Sequence, residues 1–339
     1  MAQAVEVKVG GCVKVDAIYD LDQDLGPSLD ASAIDTTPGL KSERYFQMHA
    51  KQTRLNVTAT NGDLLVFAIG DFYGGEGNEL TTNGAHFRLR HAYGQKGNFL
   101  AGQTWSTFMD ANWVLYPTTI DYAGPACAVF IRQAQFRWTV SEGLDLAIEN
   151  PENQVEGETH QDTLPDFVVR YASKGKISWQ VAGLFQQFEV DGGANDGQSE
   201  SNFGANAGIN IATGSGSFSA QVIVNSNRYS YYGWANPLAV INNGMLQVID
   251  NTSAIITYNH DWGGKMKGKS TIALGSVKFD DQYLAPTDID TIGTLHINYR
   301  WTPYDKVTFG AEVSNADKKL VNGNSNDDTR LQFAVQFNF

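Results

Sequence analysis

Several common features are scarce or missing in this sequence, and each absence closes a door. Two cysteines in 339 residues, Cys12 and Cys127, are too few for a disulfide framework and stand in no metal-ligand spacing. No run approaches the roughly eighteen apolar residues that a membrane helix needs, which excludes a helical membrane protein. Positive charge is short: 24 Lys and Arg face 37 Asp and Glu, a net charge of −13, so nucleic acid is excluded as a partner. Gly-x-Ser-x-Gly, His-Glu-x-x-His and the phosphate loop are all missing, and neither a cofactor nor a metal is expected. His86 and His91 lie five apart and form no metal pair, and His160 sits in an acidic loop. A secretory leader is missing too: Met1-Ala2-Gln3-Ala4 runs straight into strand-like sequence, as expected of an exported chain whose signal has been removed.

What the sequence does hold is alternation. Glycine (34) outnumbers proline (9) and Phe and Tyr dominate the aromatics, a mixture that favours strands and tight turns. Leu331, Phe333, Val335, Phe337 and Phe339 alternate with Arg330, Gln332, Ala334, Gln336 and Asn338. Val307, Phe309, Ala311 and Val313 alternate with Thr308, Gly310, Glu312 and Ser314, and Leu295, Ile297, Tyr299 and Trp301 with His296, Asn298 and Arg300. Period two means unlike faces, so consecutive strands of this kind make a wall with one greasy side and one polar side.

Short turns alternate with long connections along the whole chain. Turns fall at Thr60 to Asp63, Gln95 to Asn98, Ser141 to Gly143, Lys174 to Lys176, Thr213 to Gly216, Gly263 to Lys267 and Thr302 to Asp305. Long loops fall near 20–43, 73–85, 106–127, 151–164, 189–201, 227–250, 280–289 and 317–327. The strand count comes to sixteen, an even number, with segments that reach the roughly nine to eleven residues of a transmembrane strand. The fold expected is all-β: one domain, 1–339, a sixteen-stranded antiparallel transmembrane barrel with short periplasmic turns and long extracellular loops. Trp138, Trp179, Trp262, Tyr299, Trp301 and Phe337 sit at strand ends, where aromatic girdles belong. Phe339 faces outward at the end of the last strand.

Several stretches carry a family resemblance. Gly10-Gly11-Cys12-Val13-Lys14-Val15-Asp16-Ala17-Ile18-Tyr19-Asp20, Gln52-Thr53-Arg54-Leu55-Asn56-Val57 and Gly70-Asp71-Phe72-Tyr73-Gly74 are three of them. Arg88-Leu89-Arg90-His91-Ala92-Tyr93-Gly94, Gly102-Gln103-Thr104-Trp105-Ser106-Thr107-Phe108 and Ile131-Arg132-Gln133-Ala134-Gln135 are the others. Together they resemble the DcaP-like trimeric porins of Gram-negative bacteria, in motif detail over the first hundred and forty residues and in architecture beyond. The resemblance implies an outer-membrane homotrimer, each barrel narrowed by an inward-folded loop and carrying arginines that favour anions. Cys12 stands where that family tends to have an aromatic, Cys127 where a small residue is usual, and Ile69 where an acid is expected; an N-terminal helical extension of some members is absent.

Strand parity then selects pore-lining residues. Leu55 and Val57 point outward, which turns Arg54 inward; Phe87, Leu89 and His91 share the outer face, which turns Arg88 and Arg90 inward. Phe136 and Trp138 place Arg137 in the lumen, Phe167, Val169 and Tyr171 place Arg170 there, and Arg300 follows from its own strand. Strict parity puts Arg132 outside, at a cost of about 2–4 kcal/mol in lipid, so a bulge turning it inward is expected. Guanidiniums suit carboxylate and phosphate because their planar fork makes two-point hydrogen bonds. The plainer alternative is that they only line a wide aqueous pore and pair with Asp71, Glu149 or Glu312.

The segment 106–127 is too aromatic for an ordinary surface loop, with Phe108, Met109, Trp113, Leu115, Tyr116 and Tyr122. Folding inward as a constriction buries that surface, and Asp110 and Asp121 would then oppose the arginines; packing over the barrel mouth or into a subunit contact is the alternative. Parity turns Cys12 inward, and a Cys12–Cys127 disulfide tethering the loop is conceivable. The function expected is passive diffusion of small, preferentially anionic solutes such as dicarboxylates, in a membrane of lipid and lipopolysaccharide. An outer-membrane barrel hydrolase and a secreted adhesin or lectin are the competing classes.

Overall fold

The computed structural model describes residues 4–75, 83–109 and 118–339. Nineteen strands occur among them: β1 (Glu6–Asp20), β2 (Tyr45–His49), β3 (Arg54–Asn61), β4 (Leu64–Asp71), β5 (Arg88–Lys96), β6 (Phe99–Trp105), β7 (Arg132–Ser141), β8 (Leu144–Glu149), β9 (Asp166–Ser173) and β10 (Ile177–Glu189). Then come β11 (Ser199–Thr213), β12 (Gly216–Val224), β13 (Ala239–Asn242), β14 (Met245–Val248), β15 (Asn251–Gly263), β16 (Gly268–Phe279), β17 (Ile289–Tyr304), β18 (Val307–Leu320) and β19 (Ser325–Asn338). Each wall strand pairs antiparallel with its neighbour, and β1 pairs with β19 from Cys12 opposite Asn338 to Asp20 opposite Arg330, which closes the sheet. The result is a sixteen-stranded antiparallel barrel.

Alternation is the reason these residues form a wall. Outward side chains such as Val57, Leu89, Phe136, Leu274 and Phe333 are exposed, while inward ones such as Asp71, Gln135, Arg170, Thr271 and Gln332 are buried. In lipid, closure also satisfies every edge strand's backbone groups. Connections between paired strands are short at one end, as at Glu142-Gly143, where Gly143 has a φ of +81° and a side chain would run into the Ala172 carbonyl.

Three local features depart from the sequence reading. The second wall position is two strands, not one: β3 pairs with the first half of β1 and β2 with the second half, and residues 50–53 interrupt them. The segment near 317–327, expected as a loop, is mostly paired strand, with Asp317 opposite Asp327. The connection 225–250 carries its own hairpin, β13 with β14.

The apolar core lies inside and toward the long-loop end. Leu25, Leu29 and Ile34 pack with Tyr232, Phe279 and Ile292 there. Phe108 and Met109 pack on the inward side chains Val168, Leu184 and Ile223. Burying a phenylalanine ring stabilises by about 1.5–3 kcal/mol, enough to hold the start of the 106–127 segment against the wall.

Candidate functional site: a cation-rich lumen

A cavity of about 740 Å³ lies within the barrel, and its cationic lining is Lys14, Arg54, Arg90, Arg137, Arg170 and Arg300. Asp121 is the sole carboxylate on that lining among the described residues. Five of the seven arginines picked out by parity therefore share one space. The other two, Arg88 and Arg132, stand just behind it at the hydroxyl of Tyr122.

The strands position this cluster through one ladder irregularity. Opposite β4, the β5 ladder shifts between Ile69 and Gly70, so Ile69 faces His91 and Gly70 faces Leu89. The extra residue, Arg90, breaks the period of two, as a β-bulge does. Leu89 stays outward, while Arg90 and His91 both turn inward, His91 within 3.0 Å of the Thr104 hydroxyl. His91 thus lies inside and not on the outer face with Phe87 and Leu89. Arg132 needs no bulge: the β6–β7 ladder runs unbroken to Trp105 opposite Arg132. As the first residue of its strand it swings its guanidinium over the Trp105 ring, 4.9 Å from the centroid, and avoids lipid that way.

The arginines divide by what already neutralises them. Asp71, fully buried, takes a two-point hydrogen bond from Arg88 (3.0 and 2.9 Å) and a third from Arg90 Nη1 at 2.6 Å. Arg170 pairs with Asp145 at 2.7 Å and donates to the Met109 carbonyl. Among the described residues Arg137 donates only to neutral groups, the Thr107 hydroxyl, the Gln135 amide oxygen and the Trp105 carbonyl. The Nε atoms of Arg54 and Arg300 and Nη1 of Arg132 have no hydrogen-bond partner among the described residues. Arginines on β3, β7 and β17 therefore keep donors that the described residues do not meet.

The opposite wall is built differently. Arg330, fully buried, grips Asp20 through Nε and Nη2 (2.6 and 2.9 Å) and Asp121 through Nη1 (3.0 Å). Asp121 also accepts from the Leu29 and Ala123 amides. Burial acts to raise the Asp121 carboxyl, but Arg330 and these amides hold it below the ordinary carboxylate range. Glu312 accepts from the Ile120 and Asp121 amides at 2.8 and 3.1 Å and from Asn298 at 2.9 Å. Lys14 donates to the Ile120 carbonyl at 2.8 Å and pairs with Asp16 at 2.9 Å. The segment from Thr118 to Ala126 is thereby fastened to β1, β17, β18 and β19 from inside the barrel.

These contacts change part of the sequence reading. Asp121 lines the same cavity as the arginines and is itself paired with Arg330. Asp110, Trp113 and Tyr116 lie outside the described residues. Cys12 and Cys127 are both buried free thiols, so no disulfide joins them. Parity already placed Arg330 on the polar face, yet its partners Asp20 and Asp121 are distant in sequence, which is why it went unselected. Tyr122 went unselected because a loop tyrosine has no parity to read.

A comparison of the sequence with protein families decides which kind of barrel this is. The family model for the DcaP outer membrane protein matches residues 1–339. The chain belongs to the DcaP outer membrane protein family. This places the DcaP-family barrel in the outer membrane, as a porin. Among solved structures it is similar to the outer membrane channel DcaP of Acinetobacter baumannii, with a TM-score of 0.86 at 21% identity over 99% of this chain and 98% of that one. It is also similar to an anion-selective porin from Comamonas acidovorans (TM-score 0.61, 13% identity, 99% and 100% covered) and to the trimer form of OmpT from Vibrio cholerae (TM-score 0.56, 10% identity, 99% and 100% covered). These likenesses show the fold. No curated protein sequence matches the chain.

Proposed function

We propose that this DcaP-family porin is a diffusion channel that prefers small anions, with Arg54, Arg88, Arg90, Arg132, Arg137, Arg170 and Arg300 as the path and the 106–127 segment as the constriction. The observation that carries the reading is the imbalance of the cavity: six cationic side chains line it, against one carboxylate that Arg330 already neutralises. Confinement between low-dielectric walls focuses such a field and raises the local concentration of anions. Carboxylates and phosphates gain further from the guanidinium fork, so a dicarboxylate fits the lumen better than chloride. The selectivity named for the Comamonas acidovorans porin, which shares the fold, points the same way. Assembly as a homotrimer in lipid and lipopolysaccharide belongs to the same reading, supported by the apolar outer face and by the trimeric OmpT neighbour.

The test is the reversal potential across a planar bilayer under a KCl gradient, with and without a dicarboxylate on one side. Anion preference with current block by the dicarboxylate is the expected result. Cation preference overturns this account of the lumen while leaving the porin, and an esterase activity abolished by serine reagents would move the protein to the enzyme class.

A further inference from the structure

Tyr122 stands at the meeting point of the arginines, and its hydroxyl has a hydrogen-bonding requirement the described residues do not meet. Its oxygen receives Arg88 Nη2 at 2.6 Å and Arg90 Nη1 at 2.9 Å, with Arg132 Nη2 at the outer limit of 3.5 Å. A phenol oxygen offers two acceptor positions and one proton. Arg88 and Arg90 fill both acceptor positions, so the proton must point elsewhere, and no carbonyl or carboxylate among the described residues takes it. Asp71 fixes the two guanidiniums from behind, so neither is at liberty to turn toward a solute. Their charge is passed on through the phenol instead. Burial acts to raise the Tyr122 hydroxyl, yet Arg90, Arg132 and Arg88 together hold it below the ordinary value of a tyrosine, which makes it a stronger donor.

The residue that carries this hydroxyl borders solute space. Tyr122 and Arg54 both line the 740 Å³ cavity. The ring itself is held: it stacks on Tyr73 at 4.4 Å between centroids and meets Phe130 edge-on at 5.8 Å. The preceding residue, Asp121, is held by Glu312 at its amide and by Arg330 at its carboxylate. A donor held this firmly loses little entropy when it binds.

Resting on the anion-channel reading above, we propose that Tyr122 is a specificity-determining residue, donating its hydroxyl proton to an oxygen of a carboxylate or phosphate held at Arg54. Arg88 and Arg90 are positioning residues for that hydroxyl. Charge at Arg54 draws any anion, whereas a directed O–H donor favours an oxyanion, whose lone pairs are directional, over a halide.

The experiment is single-channel recording of the purified porin in planar bilayers, with inorganic phosphate and succinate as blocking probes, on the wild type, Tyr122→Phe and Arg54→Lys. Tyr122→Phe keeps the stacked ring and all formal charges, so folding and charge preference remain readable. The half-blocking concentration of each probe should rise about tenfold, out of proportion to any change in the potassium–chloride reversal potential. Arg54→Lys, which keeps the charge and loses the fork, should weaken block in the same direction. An unchanged half-blocking concentration in Tyr122→Phe overturns the proposal, since the hydroxyl then makes no contact. Tighter block overturns it as well, because the hydroxyl would then occupy the subsite and compete with the solute. Wild-type channels that prefer chloride but are blocked by neither probe overturn the oxyanion site alone, and wild-type channels that prefer potassium overturn the anion reading beneath it.

Discussion

The two walls of this lumen carry similar chemistry and put it to opposite use. On the arc from β1 through β17, β18 and β19, the carboxylates around the inward segment are held: Asp20 and Asp121 by Arg330, Asp16 by Lys14 through one oxygen, Glu312 by two amides and Asn298, while Arg300 of β17 keeps an unmet Nε. On the arc from β3 to β9, guanidiniums outnumber carboxylates, and Arg54 and Arg132 keep unmet donors. The difference separates structure from function. A buried charge that is fully paired serves to fix geometry, whereas guanidiniums that outnumber the carboxylates around a water-filled space leave a net field for a passing ion. The acidic arc is the mount for the inward segment, and the basic arc is the surface proposed to meet the solute.

The comparison can be broken from either side. The largest effect is expected on the acidic arc, where Arg330→Ala strands Asp20 and Asp121 in a dry environment. Removing one member of such a buried pair costs about 3–5 kcal/mol. Heat-modified migration and urea unfolding of the folded barrel should show that loss, and a variant as stable as the wild type would mean that water reaches the pair. Next is Arg54→Glu on the basic arc. Two units of charge at about 8 Å in aqueous surroundings amount to about 1 kcal/mol, roughly fivefold in chloride-to-potassium permeability at low salt. Stability should change little, and a large stability loss without a shift in reversal potential would erase the distinction between the arcs. The smallest effect concerns pH. Asp121 keeps a depressed carboxyl in the folded state, so its stabilising contribution is complete above the unfolded value near about 4 and lost as pH falls through the folded one. Channels should therefore keep a steady conductance down to about pH 4 and become noisier only below it; noise that begins near pH 6 would point to a histidine in place of this carboxylate.

Much of the barrel was legible because lipid enforces a rule on every second residue. Where that rule lapses, so did the reading. Lys318, Lys319 and Asp327 lie where β18 and β19 have polar residues on both faces, and a strand with two wet faces looks like a loop. Lys51-Gln52-Thr53 continues a strand-like pattern, yet Gln52 turns its amide in to Lys14, and the chain breaks there to let it do so. The bulge at Arg90 is a property of the pairing with β4 and not of β5 alone, so no local pattern announces it. Arginine positions could be read from parity; which of them remain uncompensated depends on Asp71 and Asp145, brought to them by neighbouring strands.

The seam between β1 and β19 has a consequence for how the molecule comes into being. Arg330 and Asp20 lie 310 positions apart along the chain, and they meet only when the first and last strands pair. Until then both sheet margins present unbonded amides, which hydrocarbon does not tolerate, and both ions stand alone. Completion of the seam relieves both penalties at once, at the full entropic cost of closing the longest loop in the molecule. Synthesis in order from the first strand gives no head start, because the strand made first must wait for the strand made last. Entry into the bilayer and closing of the ring are therefore coupled, and a partner that guards the open margins during that wait is what such a topology demands.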